Sequence, residues 1–492
     1  MISNNQNSSS YKTSQDFVLF GALGNLSLKK LLPAMYQLEL AGLLDKSLIV
    51  HCIVRDGVST SELSAKITRH IKPRLPNGTF NEDVWSNFTD RIKCINVDLE
   101  DPSQYKKLTK VLHNNNSVVT YYFALPPRLF EVVCDNLYSA GIIYKSTKIV
   151  IEKPIGRDYE SSQKINNKLA DYFEEDRIYR IDHYLGKETV QNLIALRFAN
   201  SILSNLWNSK NIEYVEITAA ETIGIEDRWG YYDGVGQMRD MLQSHLLQLL
   251  CLVAMEPPNH LNSLNVRYEK EQVLKALEPI TDNIIRAQYV DGEVSGKSVP
   301  GYLNEECGSA QSDTETYICM RAEISNWRWS GTPFYLRTGK RLANKVTEIV
   351  IHFKPDQHFI FDKDQKGLSG NSLIIRLQPT EGISIDILTK DQGIEKGMRL
   401  RKDPLNLDFV ESQKVSRIPD AYEKLILEML NSEQRLFVSR NEVELAWKWC
   451  DQAIQISKHA SQQLHHYSAG SNGPDIAKEM IQKYGHWWHE DR

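Results

Sequence analysis

Residues 17–26 read Phe17-Val18-Leu19-Phe20-Gly21-Ala22-Leu23-Gly24-Asn25-Leu26. Four apolar residues run straight into a turn with two glycines. A strand that ends in such a turn and passes into a helix lets backbone N–H groups approach a pyrophosphate. The helix N-terminus then favours the negative charge. The spacing is GxxG and not the full GxGxxG, so on spacing alone a tight turn without a ligand fits equally well.

Working outward, the same unit recurs. Leu48–Val54, Ile92–Val97, Val118–Phe123, Ile149–Ile151 and Ile178–Ile181 are further short apolar runs at βα spacing. Leu31–Leu44 carries a helical pattern, with Leu31, Met35, Leu38 and Gly42 on one face. Pro33 is acceptable there only in the first turn. Strand, helix, strand over this length predicts an α/β, Rossmann-like doubly wound domain. Beyond about residue 200 the rhythm changes. Glu213–Thr222, Thr316–Ser325, Glu348–Lys354, Ser372–Gln378 and Ile383–Thr389 are strand-like, and few helices separate the last four. That predicts a larger β+α domain with a mainly antiparallel sheet, an α+β fold. The expected organisation is a disordered polar tail over 1–16, a nucleotide-binding domain over 17–182, and a substrate and oligomerisation domain over 183–492.

Composition narrows the function classes. The 492 residues hold 58 Lys+Arg against 63 Asp+Glu, a net charge of −5 that excludes a globally basic nucleic-acid binder. No run of about 20 apolar residues occurs, so no membrane span is expected. Cys52, Cys94, Cys134, Cys251, Cys307, Cys319 and Cys450 are scattered without a CxxC pair. That suits reduced thiols in the cytoplasm and predicts no metal site.

Several polar groupings stand at strand ends. Val118–Phe123 stops at Ala124-Leu125-Pro126-Pro127, and the next strand stops at Glu152-Lys153-Pro154. Both loops fall at the edge of a doubly wound sheet where ligands bind. Lys153 there suits an anionic or hydroxylated ligand, though a solvated loop lysine is the commoner occurrence. Arg180-Ile181-Asp182-His183-Tyr184-Leu185-Gly186-Lys187-Glu188 is the densest polar cluster. A helix opening near His183 would put His183 and Lys187 on one face, fit for a phosphate. A charged helix start capped by Asp182 reads as well. His245 sits where the polar half of the segment 238–255 meets an apolar half that should be buried. That is the place of a hydrogen-bonded core histidine, or of a general base near a carboxylate. Arg337, Lys340, Arg341 and Lys345 form a basic loop that suits an anion or a solvated charged turn.

Taken together these segments resemble the glucose-6-phosphate dehydrogenase family. RIDHYLGKE at 180–188 matches that family's signature. EKP at 152–154, GYYD…RD…HLLQ…AME at 230–256 and PFYLRTGKRL at 333–342 follow in the family's order. IIRLQP at 374–379, DAYEKL at 420–425, GSNGP at 470–474 and an aromatic end near Trp487 complete it. The resemblance implies an oxidoreductase of glucose metabolism, acting at the first step of the oxidative pentose phosphate pathway. It implies oxidation of glucose 6-phosphate at C1 to 6-phosphoglucono-1,5-lactone, with hydride passing to NADP, and a homodimer or homotetramer. His245 then corresponds to the base and Asp182 to its partner. His183, Tyr184, Lys187 and Lys345 fall at the phosphate, and Glu221, Asp240, Lys340 and Gln378 at the sugar. Lys153 bridges sugar and cofactor. The cofactor turn Gly21, Ala22, Leu23, Gly24, Asn25 and Leu26 departs from the family's G-A-S/T-G-D-L. Val54 stands where the family places an arginine, with Arg55 and Asp56 next. These departures weaken the expected NADP preference and leave NAD or dual use open. An inactive homologue that binds sugar phosphate, and a dehydrogenase of another hexose phosphate, are the alternatives.

Overall fold

The computed structural model describes residues 14–491 except 56, 76–79, 113–116, 281–283, 307, 310, 362–369, 394–396, 409–416 and 459–462. The chain forms two compact units. The first takes the described residues up to Gly156, with Gln163–Ile181 and Tyr422–Ser439. The second takes Arg157–Ser162, Asp182–Ala421 and the described residues from Arg440 onward. The chain is therefore more interleaved than a single crossing at 182–183 would make it.

The first unit is Rossmann-like. Its strands are β1 (Gln15–Phe20), β2 (Ile49–Val54), β3 (Ile92–Asn96), β4 (Val118–Phe123), β5 (Lys148–Ile151) and β6 (Ile178–Ile181). They are mutually parallel in the order β6-β5-β4-β1-β2-β3. The strands carry runs of Val, Ile, Phe and Tyr without alternation because both faces are covered. The order reverses at β1, whose neighbours are β2 and β4, and ligand crevices open at such a switch point. Two strand-end loops meet there: Ala124 N–H bonds Phe20 O at 3.1 Å. Gly21 has φ +79°, and a Cβ on it would stand 2.4 Å from Ala124 O, so only glycine fits.

Two expectations fail in this unit. Residues 1–13 of the expected tail lie outside the described residues, but Gln15 and Asp16 belong to β1. Asp16 is buried because its carboxylate bonds His51 at 2.8 Å, so a polar letter there did not mean solvent. The helix expected over Leu31–Leu44 instead opens at Asn25, widens to π form over Ser27–Leu31 and closes as α-helix over Leu32–Leu40. Pro33 thus sits beyond the first turn. The wider turn just before it makes room for a ring that lacks an N–H. Gly42 lies outside the helix at φ +68°, where Gly42 N–H bonds Glu39 O and Leu43 N–H bonds Leu38 O. That pattern ends a helix with a left-handed residue.

The second unit carries β7 (Ile212–Ala220), β8 (Ile284–Val290), β9 (Gly292–Val294), β10 (Lys297–Val299), β11 (Tyr317–Ala322), β12 (Phe334–Gly339), β13 (Val346–Phe353), β14 (Ser372–Gln378), β15 (Gly382–Lys390) and β16 (Leu400–Asp408). Then β17 (Phe437–Val438) returns to pair antiparallel with β6 of the first sheet, and β18 (His465–Ser468) closes the large one. The large sheet runs β16-β15-β14-β13-β7-β12-β11-β8-β18. It is antiparallel except at β7–β12 and β8–β18.

One helix of this unit positions the chemistry. It is π form over Met238–Leu246 and α form over Leu247–Ala254, and every residue of the α part is buried as expected. Both ends are held by side chains from elsewhere. Glu315 accepts from Met238 N–H at 3.1 Å. At the other end Arg197 donates to Leu252 O and Met255 O, Trp207 to Val253 O and Trp329 to Ala254 O. The four terminal carbonyls, orphaned in any helix, are thus satisfied without water.

Candidate active site

His245 and Asp182 are 63 residues apart and meet in the second unit, where Asp182 Oδ1 lies 2.6 Å from His245 Nδ1. Both are buried. The helix turn that delivers His245 is the π segment, and such insertions re-aim side chains at functional sites. A carboxylate on Nδ1 fixes the tautomer that leaves the lone pair on Nε2. The same Asp182 oxygen accepts Tyr184 N–H at 2.9 Å. The expected helix from His183 is absent. Residues 182–187 form consecutive turns, with Leu185, Gly186 and Lys187 N–H bonding the carbonyls of 182, 183 and 184. The helix Glu188–Phe198 begins one residue after Lys187. Asp182 caps the turn, since its side chain is drawn towards His245.

Around this pair the expected phosphate residues gather. His183 meets His245 edge-on at 4.4 Å between ring centroids, and Tyr184 stacks on His245 at 4.2 Å. Lys187 Nζ stands 4.2 Å from the Tyr184 ring centroid and has no hydrogen-bond partner among the described residues. Burial pushes Lys187 down to about 8; Glu381 opposes that shift and Lys345 adds to it. A half-desolvated cation of this kind stabilises a bound anion more than a solvated one does. Lys345 itself is exposed.

The sugar-facing candidates are tied to the same place. Lys340 Nζ bonds Glu221 Oε2 at 2.6 Å. Asp240 and Glu221 both act electrostatically on Tyr184, whose hydroxyl ionisation is pushed up first of all by burial. Gln378 accepts from the Thr347 hydroxyl at 3.4 Å, and Thr347 also hydrogen-bonds Tyr184. The basic loop is not one anion patch. Arg337 on β12 is buried against Glu490, and in the turn that follows the strand Lys340 pairs with Glu221 and Arg341 with Glu305.

The nucleotide turn lines a cavity of about 880 Å³ in the first unit. Gly21, Ala22, Leu23 and Gly24 form one wall, Ala124–Pro126 another, and Val54, Arg55 and Arg128 also line it. The volume and the Cβ-free approach at Gly21 fit a dinucleotide. Asn25 and Leu26 are not among the lining residues, because they already belong to the opening helix and offer backbone N–H groups only. Asp56 lies outside the described residues. Lys153 follows β5 at the carboxyl edge of this sheet, beside Glu152, which accepts from the Tyr122 hydroxyl at 2.5 Å.

Comparison with known proteins decides the family. The family model "Glucose-6-phosphate dehydrogenase, NAD binding domain" matches residues 18–192, and "Glucose-6-phosphate dehydrogenase, C-terminal domain" matches residues 194–489. The chain belongs to the glucose-6-phosphate dehydrogenase family. It is 44% identical over 485 residues to a glucose-6-phosphate 1-dehydrogenase of Dickeya dadantii, covering 96% of this chain and 98% of that one. The Rhizobium meliloti relative of the same name is 44% identical over 481 residues, covering 96% and 97%. A solved glucose-6-phosphate dehydrogenase in complex with its substrate glucose 6-phosphate superposes with TM-score 0.89 at 32% identity, covering 96% of this chain and 98% of that one. The Mycobacterium avium glucose-6-phosphate 1-dehydrogenase superposes with TM-score 0.82 at 31% identity, covering 97% and 99%.

For a glucose-6-phosphate dehydrogenase family member, three residues at the candidate site were not legible in the sequence. Thr347 links Tyr184 to Gln378. Glu381 accepts from Thr189 N–H at 3.0 Å at the start of the helix after Lys187. Arg128 lines the dinucleotide cavity. None belongs to a motif; each becomes visible only once strands and loops are paired.

Proposed function

We propose that this chain oxidises glucose 6-phosphate at C1 to 6-phosphoglucono-1,5-lactone, the first step of the oxidative pentose phosphate pathway, with NADP as acceptor. The observation that supports it most is the buried Asp182–His245 pair with Lys187 two side chains away. His245 Nε2 takes the C1 hydroxyl proton, and Asp182 holds the ring and balances the imidazolium. His183, Tyr184, Lys187 and Lys345 hold the phosphate. Glu221, Asp240, Lys340 and Gln378 hold sugar hydroxyls, with Lys340 and Glu221 trading part of their mutual pairing for the ligand. Lys153 binds ligand from the carboxyl edge of the first sheet. The nicotinamide supplies the hydride acceptor when bound, and Gly21, Ala22, Gly24 and Arg55 would hold the dinucleotide.

Nicotinamide reduction followed at 340 nm with glucose 6-phosphate tests this reading. No turnover with either cofactor, in folded protein, rejects it in favour of an inactive sugar-phosphate binder. Leu23 and Val54 present apolar walls where a 2′-phosphate needs donors, so the NADP preference is weak and NAD is also used. A preference for NADP above about a hundredfold (~2.7 kcal/mol) would contradict that weakening. We further propose a homodimer or homotetramer in the cytoplasm. Exposed Leu405 and Leu407 on the edge strand β16 support the first, and free thiols at Cys52, Cys94, Cys134, Cys251, Cys319 and Cys450 the second. Cys307 lies outside the described residues. No helix among the described residues is long and apolar enough to cross a membrane.

A further inference from the structure

Gln237 stands at the start of the helix that carries Asp240 and His245, and it is fully buried. A buried primary amide needs partners at both ends of its side chain. Its Oε1 accepts the Tyr232 hydroxyl at 2.7 Å, and its Nε2 donates to the Thr338 hydroxyl at 2.8 Å. Thr338 gives its one hydroxyl proton to Ala219 O at 2.7 Å, so it accepts from the amide and fixes which way the amide faces. The bonds thus run in one direction, from Tyr232 through Gln237 and Thr338 to the backbone of β7. Tyr232 and Thr338 are buried as well. The Gln237 N–H is held separately, by Glu315 O at 3.1 Å.

This chain ties three elements together just before each delivers a sugar-facing candidate. Asp240 follows Gln237 by three residues, Lys340 follows Thr338 by two, and Glu221 follows Ala219 by two. Lys340 and Glu221 then pair at 2.6 Å, and Lys340 Nζ stands 5.3 Å from the centroid of the Tyr232 ring. Tyr232 therefore reaches this group twice, by its hydroxyl through Gln237 and by its ring at Lys340. Apolar side chains of the same shape would fill the space but let the helix and strands slide past one another. A fully satisfied polar chain holds them in one register. Recognition of a hydroxyl depends steeply on such placement. We propose that Tyr232, Gln237 and Thr338 are positioning residues that fix the spacing of Asp240, Lys340 and Glu221, and so set how strictly the site reads the hydroxyl pattern of a hexose 6-phosphate. Those three bind sugar hydroxyls in the reading given above, on which this rests. The His245–Asp182 pair and the phosphate residues after β6 are not members of the chain, so proton transfer and phosphate affinity should not depend on it.

The test compares glucose 6-phosphate with its C4 epimer, galactose 6-phosphate, in the wild type, Gln237→Met, Thr338→Val and the double variant. The kcat/KM for each sugar is measured, with the inhibition constant of inorganic phosphate as a probe of the phosphate residues alone. The wild type should prefer glucose 6-phosphate by more than about a hundredfold, since a site built to bond a hydroxyl rejects its displacement. Gln237→Met should lower kcat/KM for glucose 6-phosphate about tenfold, mainly through KM, and cut the preference at least about fivefold. The phosphate inhibition constant should stay within about twofold, and the acid limb of kcat should stay in place. The double variant should lose little more than the worse single one, because one chain is broken only once. Should Gln237→Met fail to fold, Thr338→Val removes a single hydroxyl and carries the same expectation. A sugar preference that stays within about twofold of wild type in the folded variants overturns the proposal. So does a phosphate inhibition constant that rises in parallel with KM, which would mean a general loosening of the fold. Calorimetry with the two sugars reads the same preference without turnover. A wild type that binds neither sugar rejects the sugar-phosphate reading and this proposal with it, whereas a selective wild type with equally selective variants rejects the chain alone.

Discussion

The second unit contains two histidines in nearly the same immediate setting. His245 bonds Asp182 at 2.6 Å and is stacked on Tyr184 at 4.2 Å and 17°. His352 bonds Glu216 at 2.7 Å and is stacked on Tyr214 at 4.1 Å and 16°. All four members of the two ion-pairing couples are buried. The difference lies one layer out. His352 Nδ1 meets the Ser372 hydroxyl at 3.2 Å, and Glu216 also accepts from His489 N–H. The C-terminal residues Trp487 and Glu490 bond the same sheet through Tyr214 and Arg337. Around His245 stand instead His183, a buried lysine and several acids. A histidine, a carboxylate and a tyrosine face therefore make a support for a ring; neighbours that can receive a ligand make it a candidate base.

Substitution of the two histidines should separate the pairs most widely. His245→Asn should reduce kcat by roughly 10²–10⁴-fold, the usual worth of a positioned base, with sugar-phosphate affinity by calorimetry largely kept. His352→Asn should leave kcat/KM within about threefold and lower Tm instead. Loss of turnover from the second change alone would erase the contrast. A smaller effect is expected at Lys187. Lys187→Ala should raise the KM for glucose 6-phosphate about 10–100-fold, as for a lost charged hydrogen bond. In the wild type, Lys187 loses its charge as pH rises through about 8, so KM should climb above that pH and stay flat in the variant. An unchanged KM removes Lys187 from the phosphate site.

The subtlest test addresses Glu216. Burial, opposed by Arg337, pushes it up to about 7 from an ordinary value of 4.5. A carboxyl raised in the folded state adds stability below its unfolded value, and that contribution is lost as pH rises through 7. Glu216→Gln should therefore gain Tm relative to wild type from about pH 5 to 8, by thermal denaturation. Parallel curves would mean that Glu216 does not titrate in this window.

How much of this was readable beforehand depended on range. The bounds of β4, β6 and β14 coincide with apolar runs in the sequence, because burial of a strand is written in its own residues. The motif at 180–188 pointed to Asp182, His183 and Lys187, but as a helix face; the turns that replace the helix depend on Asp182 being drawn towards His245. The π segment at Met238–Leu246 left no trace in hydrophobic periodicity. The return of β17 to the first sheet was likewise invisible, since two residues carry no pattern.

By itself the sequence determined the two sheet types, the glycine turn at Gly21 and the residue types that the chemistry needs. Only the tertiary structure decided which histidine–carboxylate pair has His183 and the buried Lys187 beside it and which is enclosed by the large sheet and the C-terminal residues. It also turned Arg337, Lys340 and Arg341 from an apparent basic patch into three internal ion pairs. The reason is physical: a side chain's chemistry is local, while its partner, its burial and hence its charge state come from residues that only folding brings near.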